Sequence, residues 1–194
     1  MRLIKGRVQM FRGSIRKDGA SFIIGGINYM ETGHFYYIND KYFTDFPDSY
    51  LMKNKETING QAHDRPCFYA FKDTSTSIYW LIPFSSQITK FKKIYNNKIQ
   101  KYKQCDTIVF GDVLGHEKAF LIQNMCPVTT EYIKNEYIDS ATNIPVRING
   151  ALEKELKEKA RKILALQRKG FKLIFPDVLM IEKALLDRIN IPSD

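Results

Sequence analysis

At 194 residues the chain is long enough for one domain with a substantial core, and no run approaches the roughly 18 apolar residues a membrane-spanning helix needs. Its three cysteines, Cys67, Cys105 and Cys126, form neither a CxxC pair nor a spaced quartet, so they offer no zinc framework and read as buried thiols of a reducing cytoplasm. The net charge of +9 invites a polyanionic partner, but six basic residues against one acid lie within positions 1–29. The remainder holds 24 basic and 20 acidic residues, so local clusters carry more weight than the overall balance.

Residues 1–29 are Arg- and Gly-rich, with two short apolar patches and no sustained period, too little for a secretory signal. Gly25 and Gly26 stand shortly before Met30, and a purine-rich Gly-Gly codon pair at that distance from a start codon acts as a ribosome-binding site. The expected domain therefore runs over residues 30–191, with 1–29 a non-native or disordered extension. Residues 35–38 read as a short strand, and 41–46 as a brief helix that Pro47 breaks. Residues 49–64 are polar and loop-like. A central hairpin follows, its strands at 67–72 and 78–83 rich in aromatic and β-branched residues around a polar turn at 73–77.

A second hairpin is expected at 106–114 and 118–124, with its turn at Gly115, His116 and Glu117. Leu152, Leu156, Ala160, Ile163 and Leu164 mark one face of a helix over 151–168, which Gly170 stops. Residues 171–175 read as a strand. Pro176 opens a last helix striped by Val178, Ile181, Leu185 and Ile189.

Polar chemistry sits at the open ends of the central hairpin. Gln61, His63, Asp64 and Arg65 precede its first strand, and Ser85, Ser86, Gln87 and Lys90 follow its second. Antiparallel pairing brings the start of one strand beside the end of the next, so the two groups are expected to meet. A His, an Arg, two hydroxyls and a Lys at one sheet end suit phosphate chemistry. Residues 89–103 then carry six lysines and no acid, with Phe91, Tyr95 and Tyr102 interleaved. That pattern fits phosphate neutralisation and base stacking along a nucleic-acid strand as well as it fits a solvated lysine face. His34 and His116 read as surface residues.

The segments NGQAHDRPCFYAF (59–71), IYWLIPFSSQITKFKKIYN (78–96), FGDVLGHEKAFLIQNMCPVT (110–129) and LIFPD (173–177) occur in this order, after FYYINDKYF at 35–43. Together they resemble the ribonuclease toxins of the PemK/MazF superfamily, and within it the type III ToxN/AbiQ group and its CptN-like branch. The resemblance implies an α+β fold, a compact and mostly antiparallel PemK/MazF-like β-barrel with C-terminal helices packed against it. It implies RNA cleavage without metal or cofactor, through 2′-OH attack to 2′,3′-cyclic phosphate and 5′-OH ends.

Carried over by position, Ser85 and Ser86 match the family's hydroxyl pair, Arg65 its arginine and Tyr42 its N-terminal tyrosine. The family's active-site lysine falls where Ile88 stands, so the base is left between Lys90, one turn further on, and His63, the natural proton carrier. RNA contacts are expected from Gln61, Gln87, Lys92, Lys93, Tyr95, Lys98, Lys101 and Lys103. The implied partners are a small structured repeat RNA antitoxin, held in a closed toxin–RNA assembly, and cellular or phage RNA as substrate, all in the cytoplasm. Two other classes stay open on the residues: a non-catalytic RNA-binding module, and a protein-inhibiting toxin on the same barrel. A serine hydrolase lacks a GxSxG around either serine.

Overall fold

The computed structural model describes residues 30–58 and 61–189. The proposed extension at 1–29 and residues 59–60 lie outside the described residues, as do the side chains of 56–62. Among the described residues, eleven strands and four α-helices follow one another in the order β1 (Phe35–Ile38), α1 (Asp40–Asp45), β2 (Lys55–Ile58), β3 (Gln61–Asp64), β4 (Pro66–Lys72), β5 (Tyr79–Ser85), α2 (Ile88–Tyr102), β6 (Val109–Val113), β7 (His116–Phe120), β8 (Cys126–Val128), β9 (Ile133–Glu136), β10 (Ile138–Asp139), β11 (Ile144–Pro145), α3 (Gly150–Arg168) and α4 (Val178–Ile189). The main sheet is antiparallel at every junction and runs β6-β7-β5-β4-β1-β9, with β8 also paired to β5. This is the expected α+β architecture.

Aromatic and β-branched alternation makes β4 and β5 the sheet's centre, because both of their faces are covered. Phe68, Trp80, Leu81 and Ile82 are fully buried. Phe35, Phe68, Phe84 and Phe120, from four adjacent strands, pack at centroid separations of 5.4–6.3 Å, mostly edge to face. Between Tyr69 and Phe71 the register of β4 on β5 slips by one residue, a bulge that bends the strand. The helix α3 lays Leu152, Leu156, Ala160, Ile163 and Leu164 on this core, and Asn149 caps its start by accepting from Leu152 N at 2.9 Å. Gly111 of β6 lets it approach: a Cβ there would stand 2.1 Å from Leu152 Cδ2. The helix α4 packs Val178, Ile181 and Leu185 inward, next to β8.

Four local expectations are corrected. Residues 49–64 are not all loop, since β2 and β3 form a hairpin there. Residues 171–175 form no strand, because no ladder partner among the described residues lies alongside; Phe175 N instead donates to Gln123 O at 2.8 Å. The second hairpin turns one residue earlier than its glycine suggests, with Leu114 (φ 54°) and Gly115 (φ 76°) both left-handed, as a two-residue type I′ turn requires. His34 is buried, not exposed, with Glu136 on Nδ1 and Glu31 3.3 Å from Nε2.

Candidate active site

The central hairpin does bring its two open ends together. Cys67 pairs with Pro83, and just outside that pair Arg65 Nη1 donates to Phe84 O at 2.9 Å while Nε donates to Lys53 O at 3.2 Å. Two carbonyls from different segments thus orient the guanidinium. Around it opens a cleft of about 310 Å³ whose lining includes His63, Arg65, Phe84, Ser86, His116 and Lys118, with Tyr37 and Tyr137 forming an aromatic side. The two tyrosine rings meet edge to face at 5.7 Å. Burial pushes the Tyr37 hydroxyl up to about 12, so it stays a neutral donor across the physiological range.

The two serines do different things. Ser85 ends β5 opposite Ala119, is 2 % exposed, and accepts from Gln87 N at 3.2 Å, which ties strand to helix. Ser86 is exposed in the cleft and accepts from Lys118 Nζ at 2.8 Å. Directly after it α2 begins with no acidic residue in its first turn and no side-chain cap on its N–H groups. The positive end of that helix dipole is therefore uncompensated beside Ser86. Among the described residues the only carboxylate lining the cleft, Asp64, is engaged at 2.5 Å by Lys134, so the lining is net cationic.

Lys118 and His116 are the residues that sequence reasoning missed. Their spacing of two puts both on one face of β7, with Glu117 on the other, where it receives Lys92 Nζ at 2.7 Å. The signal was present in HEK at 116–118, but only once the turn is known to close at Leu114 and Gly115. His63 reaches the cleft from β3, so the two imidazoles come from two separate hairpins.

Other expected residues stand elsewhere. Tyr42 is in the core at 0 % exposure, packed on Phe43, Phe46 and Tyr132, its hydroxyl donating to Pro127 O at 2.9 Å. Lys90 is exposed on α2 with its ammonium 5.5 Å over the Phe91 ring, outside the cleft lining. Gln87 is exposed at the start of α2, and Gln61 falls in β3 with its side chain outside the described residues. Residues 89–103 are almost wholly helix. Ile88, Phe91, Ile94, Tyr95 and Ile99 pack on a second core with Ile108, Phe110 and Leu121. Tyr95 is thereby spent on Phe110 (5.5 Å, edge to face) and is no free stacking surface.

Lys98 is likewise drawn inward, donating to Thr107 Oγ1 and Gln123 Oε1, both at 2.7 Å; burial lowers its pKa. Lys92 pairs with Glu117, Lys103 is the left-handed C-cap, and Lys93 and Lys101 remain exposed.

No protein-family model and no curated protein sequence matches the chain. Among solved structures, AbiQ, a lactococcal anti-phage endoribonuclease belonging to the type III toxin–antitoxin system, superposes with a TM-score of 0.59 at 15 % identity, over 82 % of this chain and 99 % of AbiQ. The chain thus carries an AbiQ-like fold along nearly the whole of that protein's length.

Proposed function

We propose that the chain is the endoribonuclease toxin of a type III toxin–antitoxin system, acting in the cytoplasm and cutting RNA by transesterification. The observation that carries this reading is the convergence of Arg65, Ser86, Lys118, His63 and His116 on one cationic cleft of an AbiQ-like fold. In the proposed step the ribose 2′-oxygen attacks the adjacent phosphorus. The 2′-O–P bond forms, the P–O5′ bond breaks, and the ends are a 2′,3′-cyclic phosphate and a 5′-OH. One imidazole takes the 2′ proton and the other gives one to O5′, with His63 and His116 as the pair. Lys118 and Arg65 supply fixed cationic donors to the phosphoryl oxygens, and Ser86, beside the positive end of the α2 dipole, completes the cradle. Tyr37 and Tyr137 give a flanking base an aromatic surface. Lys118, coming from β7, takes the place of the lysine that the family carries where Ile88 stands here.

The proposed antitoxin is a small structured RNA of repeats, processed in the same cleft and then retained in a closed toxin–RNA assembly. The exposed Lys93 and Lys101 of α2 support a polyanionic partner on that side. The test is incubation of purified protein with RNA in EDTA, followed by end-group analysis. Cyclic-phosphate and 5′-OH ends are expected; RNA left intact but tightly bound overturns the enzymatic reading in favour of a binding module.

A further inference from the structure

At the far end of α2 lies a second concavity of about 410 Å³, between the last turns of that helix, α3 and the segment 171–175. Its floor is apolar, made by Ile163, Leu166 and Leu173. Tyr102 and Phe175 line it too, and both are large aromatics left exposed, at 59 % and 48 %. Phe175 is held in place from below by its own backbone N–H on Gln123 O.

Its cations are Lys98, Lys162 and Lys172. The Lys98 ammonium is anchored on Thr107 and Gln123 and stands 5.8 Å from the Phe175 ring centroid. Lys162 is met by Asp106 at 2.6 Å, while Lys172 is exposed with no acidic partner among the described residues. Polyanion binding alone asks only for charge. Two exposed aromatic rings beside an apolar floor add the flat surfaces that an unstacked base needs.

We infer that this pocket takes one unstacked nucleotide of the same RNA strand that enters the cleft, its base on the apolar floor beside Tyr102 and Phe175 and its phosphate at Lys162 and Lys172. The inference rests on the ribonuclease reading for the strand's identity. The fifteen residues of α2 separate the two sites by about 22 Å. Lys90, Asn97 and Lys101, at helical spacings of seven and four, form one exposed ridge along α2. Strand length therefore sets how tightly an RNA is held: one too short to reach the pocket is bound by the cleft alone.

The test compares wild type with Tyr102→Ala/Phe175→Ala and with Lys172→Glu, all checked for unchanged melting. Substrates are a dinucleotide and a single-stranded RNA of about 12 nucleotides, within the site sizes of strand-binding grooves. Affinity is measured with the 2′-O-methyl form of the longer strand and with a 5′-nucleoside monophosphate. The expected result is unchanged dinucleotide cleavage, with KM and Kd for the long strand raised about 5- to 150-fold, the range for one lost base stack. Unchanged KM and Kd overturn the pocket while leaving the ribonuclease standing. Weaker strand binding by the variants, with no cleavage even by wild type, removes the ribonuclease and keeps the pocket. Wild type that binds the monophosphate, with strand affinity equal in all variants, assigns the pocket to a free nucleotide and overturns the strand reading.

Discussion

Replacing Tyr42 by Phe separates a structural tyrosine from a catalytic one. The ring stays where it is, against Phe43, Phe46 and Tyr132, with centroids 5.1–5.4 Å apart. Only the hydroxyl is removed, and with it the 2.9 Å bond to Pro127 O. Pro127 is buried and opposite Trp80 in the β5–β8 ladder, so its carbonyl loses a partner that water does not replace. A buried acceptor left unmade costs about 1–3 kcal/mol. For a domain of this size each kcal/mol moves Tm by about 2–4 °C, so melting is expected about 2–12 °C lower. RNA cleavage at a temperature well below that melt is expected to stay within about twofold of wild type, since no transition-state donor is lost. Differential scanning calorimetry and a cleavage assay on the same preparation give both numbers. Turnover slowed by about two orders of magnitude, the effect of a lost transition-state donor, with Tm unchanged refutes the placement of Tyr42 in the core.

Three further outcomes follow from the packing and the ionisable groups. Gly111→Ala places a methyl into Leu152 Cδ2 of α3, and overpacking of that kind is expected to lower stability by about 1–3 kcal/mol in urea unfolding. Leu114→Asn relieves a left-handed leucine at the tip of the β6–β7 hairpin and is expected to raise Tm by a few degrees; a lowered Tm refutes the type I′ turn. Burial pushes the Cys126 thiol from 9.0 and the Tyr37 and Tyr69 hydroxyls from 10.0 up to about 12, and raises Cys67 as well. Each of these groups ionises more easily in the unfolded chain. Their contribution to stability is whole below pH 9 and is lost as pH rises from about 9 to 12, which alkaline melts monitored by tyrosinate absorbance follow. A stability flat across that window contradicts the burial of these groups.

Much of this was legible in the chain because it rests on short-range rules. Alternating Phe, Tyr and Ile specify β4 and β5, and the stripe from Leu152 to Leu164 specifies α3. The meeting of Arg65 with the end of β5 follows from antiparallel geometry alone. What stayed hidden depends on contacts between distant positions or on unusual backbone. The turn closes on Leu114 and Gly115, with a leucine in the positive-φ conformation that it disfavours, and this draws His116 and Lys118 into β7 opposite Val113 and Gly111. His34 goes inside because Glu136, about a hundred residues away, hydrogen-bonds its Nδ1, with the Glu31 carboxylate 3.3 Å from Nε2. Tyr42 follows its helix into the aromatic core, a placement that the likeness of a short segment does not carry. Residues 171–175 have the aliphatic and aromatic content of a strand but no neighbouring strand among the described residues to pair with.

Lys118 of β7, in contact with Ser86, is the proposed cleft lysine, and Lys90 of α2, over the Phe91 ring, is proposed to stand outside the chemistry. The direct measurement is the turnover rate on a dinucleotide, in EDTA, for wild type, Lys118→Met and Lys90→Met. A loss of about 100- to 1000-fold is expected for Lys118→Met, with Lys90→Met within a few-fold of wild type. A large loss in Lys90→Met with Lys118→Met near wild type would contradict it.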